Sequence, residues 1–115
     1  MEIAARSPAG RLLGEPISTT MLVDSGADIS MIDEAYAAVL GIVLDELPPA
    51  TVGGIGGEVP ARQGVLMMDL CGRWIPVPVF FCEYQRTGLL GRAGAFDSMW
   101  LTFAHRDRIM LGEGV

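Results

Sequence analysis

The segment Leu22–Ala27 contains the residues best suited to chemistry. It reads Leu-Val-Asp-Ser-Gly-Ala, so that Asp24 follows an apolar strand and precedes a hydroxyl and a glycine. A lone carboxylate at the end of a buried strand loses its solvation, so Asp24 needs partners or a catalytic task. Ser25 supplies a hydroxyl, and Gly26 lets backbone N–H groups approach a carboxylate closely. Taken alone, the tripeptide also fits a plain Asx-type turn between two strands.

Two further motifs follow along the chain. Thr51 and Val52 lead into Gly53-Gly54-Ile55-Gly56-Gly57, four glycines around one apolar residue, and Leu89-Leu90-Gly91-Arg92 comes later. A mobile glycine turn without any contact to a ligand is the simpler interpretation of the first of these.

The sequence lacks the sets of residues that other kinds of catalytic or binding site require. The single His105 stands in a charged turn and has no positioned nucleophile beside it, which argues against a serine or cysteine hydrolase. One His and two separated Cys do not make a zinc ligand set, so no metal is expected. The glycine cluster fits neither nucleotide-binding pattern, and the chain has no Lys.

Turn residues and alternating apolar residues predict the elements that position these motifs. With 15 Gly and 7 Pro, the chain favours a turn-rich, mainly antiparallel β domain with two short helices. Asp33 and Gly41 bound a predicted helix over 34–40, and a second helix is predicted near 94–99. The predicted strands are 2–6, 17–23, 29–32, 89–90, a long hairpin of 59–70 with 74–84, and a last hairpin of 101–103 with 109–111.

Composition limits the partners and the compartment. The 115 residues predict one domain over 1–115, and a net charge of −6 with scattered Arg argues against nucleic-acid binding. All eight basic residues are Arg, a bias typical of a GC-rich bacterial genome. No apolar run reaches the roughly 18 residues of a membrane span, and the first ten residues lack a signal-peptide core, so a cytoplasmic protein is expected unless the chain is a piece of a larger protein.

The two cysteines are not expected to form a disulfide. If Gly72-Arg73 is the turn of the long hairpin, Cys71 faces Trp74 and Cys82 faces Gln63. The two Cα atoms are then about 26 Å apart, whereas a disulfide needs less than about 7 Å. Two buried thiols are the expected state.

The three motifs, in this order and spacing, resemble the retropepsin-like aspartic proteases, the single-domain family of the retroviral proteases. The segment from Leu89 to Gly112 is most similar to bacterial and certain cellular members. The resemblance implies a closed acid-protease-type β-barrel with a glycine-rich flap hairpin. Ser25 departs slightly from the Thr that is usual in retroviral members. The C-terminal tail, residues 110–115, is interrupted by glycines, which leaves open how two copies would be held together.

The resemblance also implies roles for individual residues. Asp24 is the catalytic carboxylate, Ser25 hydrogen-bonds across a dimer, and Gly26 admits the substrate backbone. Asp28 pairs with Arg92 and faces the substrate main chain, although a solvated turn is an equally simple interpretation. The other substrate-binding residues implied are Ala27, Val52, Gly53, Gly54, Ile55 and Gly56. The residues implied to support the site are Leu90, Gly91 and Arg92.

The chemistry of this family needs two carboxylates that share one proton. Like charges about 4 Å apart repel by roughly 4 kcal/mol at an effective dielectric constant of about 20, so the pair keeps one proton. Asp97-Ser98 is followed by Met99, so the chain has a single Asp-Ser-Gly frame. The sequence therefore predicts a cofactor-free aspartic endopeptidase that acts on protein or peptide substrates as a homodimer. The alternative is a catalytically inactive dimer of the same fold that binds peptides or serves assembly.

Overall fold

The computed structural model describes residues 1–54, 57–97, 99–105 and 108–113, with only the backbone for residues 54, 96, 99–105 and 108–113. The described strands are β1 (Glu2–Ala4), β2 (Ile17–Ser18), β3 (Met21–Val23), β4 (Ser30–Asp33), β5 (Pro49–Gly54), β6 (Gly57–Leu70), β7 (Arg73–Cys82), β8 (Gly88–Leu90), β9 (Met99–His105) and β10 (Arg108–Glu113). The helical elements are α1 (Ala35–Val39), a short 3-10 turn (Leu44–Glu46) and a kinked segment (Arg92–Phe96). A mainly β chain with two short helices is confirmed.

One curled sheet contains eight of these strands. Its order is β2-β1-β6-β7-β4-β8-β3, with β5 paired to β6. Most pairs are antiparallel, as predicted, but β3 with β8 and β4 with β7 are parallel. Strand alternation cannot predict these pairs, because parallel partners are joined by long crossover segments rather than by a turn. In the described part of the chain β2 and β3 do not pair, so closure into a barrel stays a prediction.

The long hairpin of β6 and β7 has a register that differs from the predicted one. Leu70 pairs with Arg73, so the turn is Cys71-Gly72 and not Gly72-Arg73. Both turn residues have positive φ, 56° and 82°, as a type I′ turn requires. Opposite Trp74 stands Asp69 rather than Cys71. The predicted register was wrong by one residue at the turn because Gly72 takes the second turn position, not the first.

The same register separates the two cysteines. Cys82 faces Ala61 rather than Gln63, nine rungs beyond the Leu70–Arg73 pair next to the turn, so the two cysteines are separated by about 30 Å along the hairpin. Cys82 is buried, as predicted. Cys71 is exposed in the turn, so the prediction that it is buried was wrong.

Helix α1 covers Ala35–Val39, one residue less at each end than the predicted 34–40, and the predicted signals flank it. The Asp33 Oδ1 atom accepts a hydrogen bond from the Ala35 N–H group at 2.9 Å. Gly41 ends the helix with φ of +81°, and the Ile42 N–H group donates to the Ala37 carbonyl at 2.8 Å, which is a Schellman-type end.

The predicted strand over 17–23 is two strands. Its first part, β2, pairs with β1, and its second part, β3, pairs with β8. Between them the Thr19 N–H group donates to the Met1 carbonyl at 2.8 Å, so the chain changes partner at Thr19. The apolar pattern is continuous across this change and therefore does not reveal it.

The core lies between the curled sheet and α1. Its largest fully buried side chains are Phe81, Ile3, Ile32, Leu40, Leu66, Met68, Leu70, Leu90, Val77 and Val79. Beyond this core β9 and β10 pair with each other as the predicted last hairpin, and its predicted turn includes residues 106 and 107, which lie outside the described residues. Within the described residues, no helix is long and apolar enough to span a membrane.

Candidate active site

Asp24 lies where two parallel strands end together. β3 and β8 pair with Val23 opposite Leu90, and the Asp24 N–H group donates to the Leu90 carbonyl at 3.0 Å. The parallel pair therefore fixes where the Asp24 loop leaves the sheet, next to the Gly91-Arg92 segment that follows β8.

The loop itself is a tight Asx turn. The Asp24 Oδ1 atom accepts a hydrogen bond from the Gly26 N–H group at 3.0 Å, and the Asp24 carbonyl accepts one from Ala27 at 3.1 Å. An added Cβ at Gly26 would lie 3.3 Å from the Asp24 Oδ1 atom. Asp24 is half-buried and Ser25 is exposed. The turn interpretation and the functional interpretation are compatible, because the residue that forms the Asx turn also lines a cavity.

The strand before Asp24 is less buried than predicted. Met21 is buried, but 57% of Leu22 is exposed in the single chain. The expectation of a buried strand is confirmed for Met21 and wrong for Leu22, whose side chain lies on the opposite face of the strand.

Backbone hydrogen bonds tie the Asp24 loop to the segment after β8. The Arg92 N–H group donates to the Ala27 carbonyl, and the Ala93 N–H group donates to the Asp28 carbonyl, both at 2.9 Å. The side chains of Arg92 and Asp28 also form an ion pair through Nη2 and Oδ1, as the resemblance implies. Three independent contacts thus join two loops that are more than 60 residues apart in sequence.

Gly91 and Ser30 bring these two loops together. An added Cβ at Gly91 would lie 2.7 Å from the Ile29 carbonyl carbon and 3.0 Å from the Ala27 carbonyl oxygen, so no larger residue fits. The buried Ser30 Oγ atom accepts a hydrogen bond from the Gly91 N–H group at 2.9 Å. The sequence interpretation missed Ser30, because a serine within an apolar strand carries no signal of its partner.

A cavity of about 420 Å³ lies beside Asp24. Of the predicted site residues, it brings together Asp24, Ala27, Asp28, Val52 and Gly53. Four further residues that line it were not predicted, namely Ile29, Met31, Thr51 and Phe80, and Leu89 completes the wall. Met31 pairs with Phe80 in the parallel β4–β7 ladder, which the sequence did not predict, and with Leu89 in the antiparallel contact of β4 with β8.

The remaining predicted residues stand outside this wall. Ser25 and Gly26 are in the Asp24 loop, while Leu90, Gly91 and Arg92 lie behind it and support it. Gly54 ends β5 and is described by its backbone alone, and the predictions for Ile55 and Gly56 lie outside the described residues.

A larger cavity of about 540 Å³ contains none of the predicted site residues. It is lined by Ala5, Arg6, Ser7, Pro8, Leu13, Gly41, Ile42, Val43, Glu46, Leu47, Gly64 and Val65. Its lining has no carboxylate beside an Asx turn, so size alone does not identify the candidate site. Among the described residues, no group of three or more His, Cys, Asp or Glu side chains is arranged to hold a metal ion.

Residues 9–93 match a family model described as aspartyl protease. The match covers well over half of the chain, including the Asp24 loop, both arms of the β5–β6 hairpin and the Gly91-Arg92 segment. The chain therefore belongs to the aspartyl protease family, and its retropepsin-like resemblance is confirmed. No curated protein sequence matches the chain.

Proposed function

We propose that the chain is an aspartic endopeptidase whose active site forms when two copies pair, each contributing Asp24. The observation that carries this proposal is the cavity in which Asp24 and Asp28 face Val52 and Gly53 of the β5–β6 hairpin. A carboxylate in a groove of this kind has room for an extended peptide beside it. Membership of the aspartyl protease family supports peptide-bond hydrolysis as the chemistry.

The reaction proposed here uses the two Asp24 carboxylates with one shared proton. The ionised carboxylate takes a proton from a water molecule, and that water attacks the scissile carbonyl carbon. The protonated carboxyl polarises the carbonyl oxygen and later returns a proton to the leaving amine. Two like charges held close together repel each other, so the pair shares a single proton.

Two observations support a dimer. The chain has one Asp-Ser-Gly frame, so one copy supplies one carboxylate of the pair. Leu22, two residues before Asp24, exposes 57% of its surface, and a second copy meeting at the Asp24 loop would cover it. In this arrangement Ser25 hydrogen-bonds across the two-fold axis and Gly26 admits the substrate backbone.

The β9–β10 hairpin supplies a further surface for pairing. It lies beyond the matched residues 9–93, and within the described residues its two strands pair only with each other. An isolated two-stranded hairpin is marginally stable in water, so further strands from a second copy would stabilise it. We propose that the whole chain, 1–115, is one domain.

The β5–β6 hairpin is the proposed flap. Its arms pair from Pro49 opposite Arg62 to Gly54 opposite Gly57, and Val52 and Gly53 line the cavity from one side. Ile55 and Gly56 stand between the arms in sequence and lie outside the described residues, so their contact with the substrate stays a prediction. Closure of such a hairpin excludes bulk water from the reacting groups.

The test is digestion of an unstructured protein such as casein between pH 4 and pH 7. We expect the wild-type chain to cleave, Asp24→Asn to be inactive, and Asp97→Asn to keep its activity, since Asp97 is also followed by Ser but is not in the cavity. Sedimentation should find a species near twice 12.3 kDa. Equal cleavage by wild type and Asp24→Asn contradicts the proposal. Binding of the protein without cleavage by any variant favours the inactive peptide-binding dimer instead.

A further inference from the structure

The cavity beside Asp24 adjoins a second cavity of about 300 Å³. The two share Met31, Val52 and Gly53, so they form one groove that runs along the β5–β6 hairpin. Beyond the shared residues the second cavity is lined by Val59, Cys82, Glu83 and Gln85. The groove therefore begins at the proposed catalytic carboxylate and ends at a different acidic residue.

Glu83 is free to interact with a ligand at that end. Its side chain is exposed, and within the described residues it makes no ion pair. Arg62 lines a small neighbouring cavity with Glu83, but its guanidinium donates to the Leu47 carbonyl at 2.8 Å and lies 3.9 Å from Asp45. Arg86 follows in the same loop and does not line the groove.

Neighbouring carboxylates strengthen the negative potential at this end. Burial raises the pKa of the Cys82 thiol, and the nearby carboxylates of Glu34 and Asp33 raise it further. Both of those carboxylates also line a shallow cavity with Glu83. A cation near Glu83 is therefore also attracted by two neighbouring acidic side chains.

We propose that Glu83 gives the protease a preference for Lys or Arg in its substrate, at a position two or more residues from the scissile bond. This inference rests on the proposed function. The cavity beside Asp24 takes the side chain next to the scissile bond, and an extended peptide advances about 3.3 Å per residue with side chains on alternating faces. The aliphatic stem of Lys or Arg lies along Met31 and Val59, while its charged head reaches Glu83.

The two-fold symmetry of the proposed dimer makes the preference appear on both sides of the cleaved bond. Each copy contributes one Glu83, so the groove has an acidic residue at each end. Acidic residues at the same substrate positions are disfavoured, because like charges repel across a partly solvated groove.

The experiment is digestion of a synthetic library of 14-residue peptides, with every cleavage site mapped by mass spectrometry. For the wild type we expect Lys and Arg to be enriched roughly three- to fivefold over Asp and Glu at two to four positions from the scissile bond. An enrichment of this size corresponds to the free energy of a partly exposed ion pair. Glu83→Gln removes this enrichment, and Glu83→Lys reverses it towards acidic residues. Glu46→Gln is the matched control, since Glu46 lines the separate cavity, and keeps the wild-type preference. Adding 0.5 M salt reduces the enrichment.

The outcomes separate this inference from the proposed function. Cleavage by the wild type without basic enrichment, or with enrichment that Glu83→Gln and Glu83→Lys leave unchanged, overturns the role of Glu83 alone. Absence of any cleavage by a folded wild-type dimer overturns the proposed function and this inference with it. Circular dichroism of each variant checks that the fold is intact.

Discussion

The Ser30 Oγ atom accepts a hydrogen bond from the Gly91 N–H group at 2.9 Å, and both residues are buried. This bond joins β4, which follows the Asp24 loop, to the segment that follows β8. The Asp24 N–H group donates to the carbonyl of Leu90, the last residue of β8 and the one before Gly91. The position of the proposed catalytic carboxylate therefore depends on a contact between residues 61 positions apart.

Replacing Ser30 with Ala should destabilise the fold. The Gly91 N–H group would be left buried without its acceptor, which costs about 1–3 kcal/mol. Urea unfolding at one fixed protein concentration measures the change in the free energy of unfolding. Ser7→Ala is the matched control, because the Ser7 Oγ atom accepts a longer, exposed bond from Arg11 at 3.3 Å. Equal losses for the two variants contradict the role assigned to Ser30.

Gly91→Ala should be poorly tolerated for a different reason. The added Cβ would lie 2.7 Å from backbone atoms of Ile29, so one of the two loops must move. We expect a lower free energy of unfolding and a larger fractional loss of cleavage, since the Asp24 loop moves with its neighbour. Gly53→Ala is the control for stability, because its added Cβ meets no atom within 4 Å. An unchanged melting temperature for Gly91→Ala disproves the steric argument.

The ion pair between Asp28 and Arg92 should matter for activity more than for stability. Both side chains are largely exposed, at 79% and 53%, and exposed pairs contribute less than about 1 kcal/mol. Asp28→Asn should therefore unfold almost like wild type, while kcat/KM falls because Asp28 lines the cavity. Asp45→Asn breaks the comparable exposed pair with Arg62 outside that cavity and should leave kcat/KM unchanged. Similar kinetics for the two variants count against a substrate-binding role for Asp28.

Stability should fall at alkaline pH because of Cys82. Burial and two nearby carboxylates raise the pKa of this thiol above its ordinary value of 9.0. Below pH 9 the thiol is protonated in both states and has no effect on stability. Above pH 9 the unfolded chain loses the proton first, so the free energy of unfolding decreases until the folded thiol also titrates.

The measurement for Cys82 is urea unfolding at pH 7.5, 9 and 10 with a thiol reductant present. Cys82→Ala should show a smaller alkaline decrease than wild type. Cys71→Ala should keep the full decrease, since Cys71 is exposed in the hairpin turn. An identical alkaline decrease in wild type and Cys82→Ala contradicts the burial argument.

Capping residues, turn residues and the alternation of apolar residues predicted the parts of the fold that depend on neighbours in sequence. The glycine that ends α1, the Asp33 cap and the existence of the β6–β7 hairpin follow from turn residues and alternation. The exact hairpin register does not, because Cys71 adopts a positive φ that its residue type does not indicate. Likewise, the apolar run over 17–23 carries no mark where the chain passes from one partner strand to another.

The candidate site likewise contains residues that the sequence predicted and residues that it did not. The motifs around Asp24, Val52 and Arg92 predicted which segments meet, and the structure groups the first two around one cavity. Met31 and Phe80 were missed because they reach the cavity through the parallel pairing of β4 with β7. Such long-range pairing is a property of the whole sheet, and no window of sequence specifies it.

The central claim is that each active site needs Asp24 from two copies of the chain. Wild type and Asp24→Asn are unfolded together, refolded in varied proportions at constant total concentration, and assayed with one peptide substrate. If both carboxylates are required, mixed dimers are inactive, and an equal mixture retains about one quarter of the wild-type activity. An equal mixture that retains about one half, in proportion to the wild-type fraction, shows that each chain acts alone and contradicts the shared site.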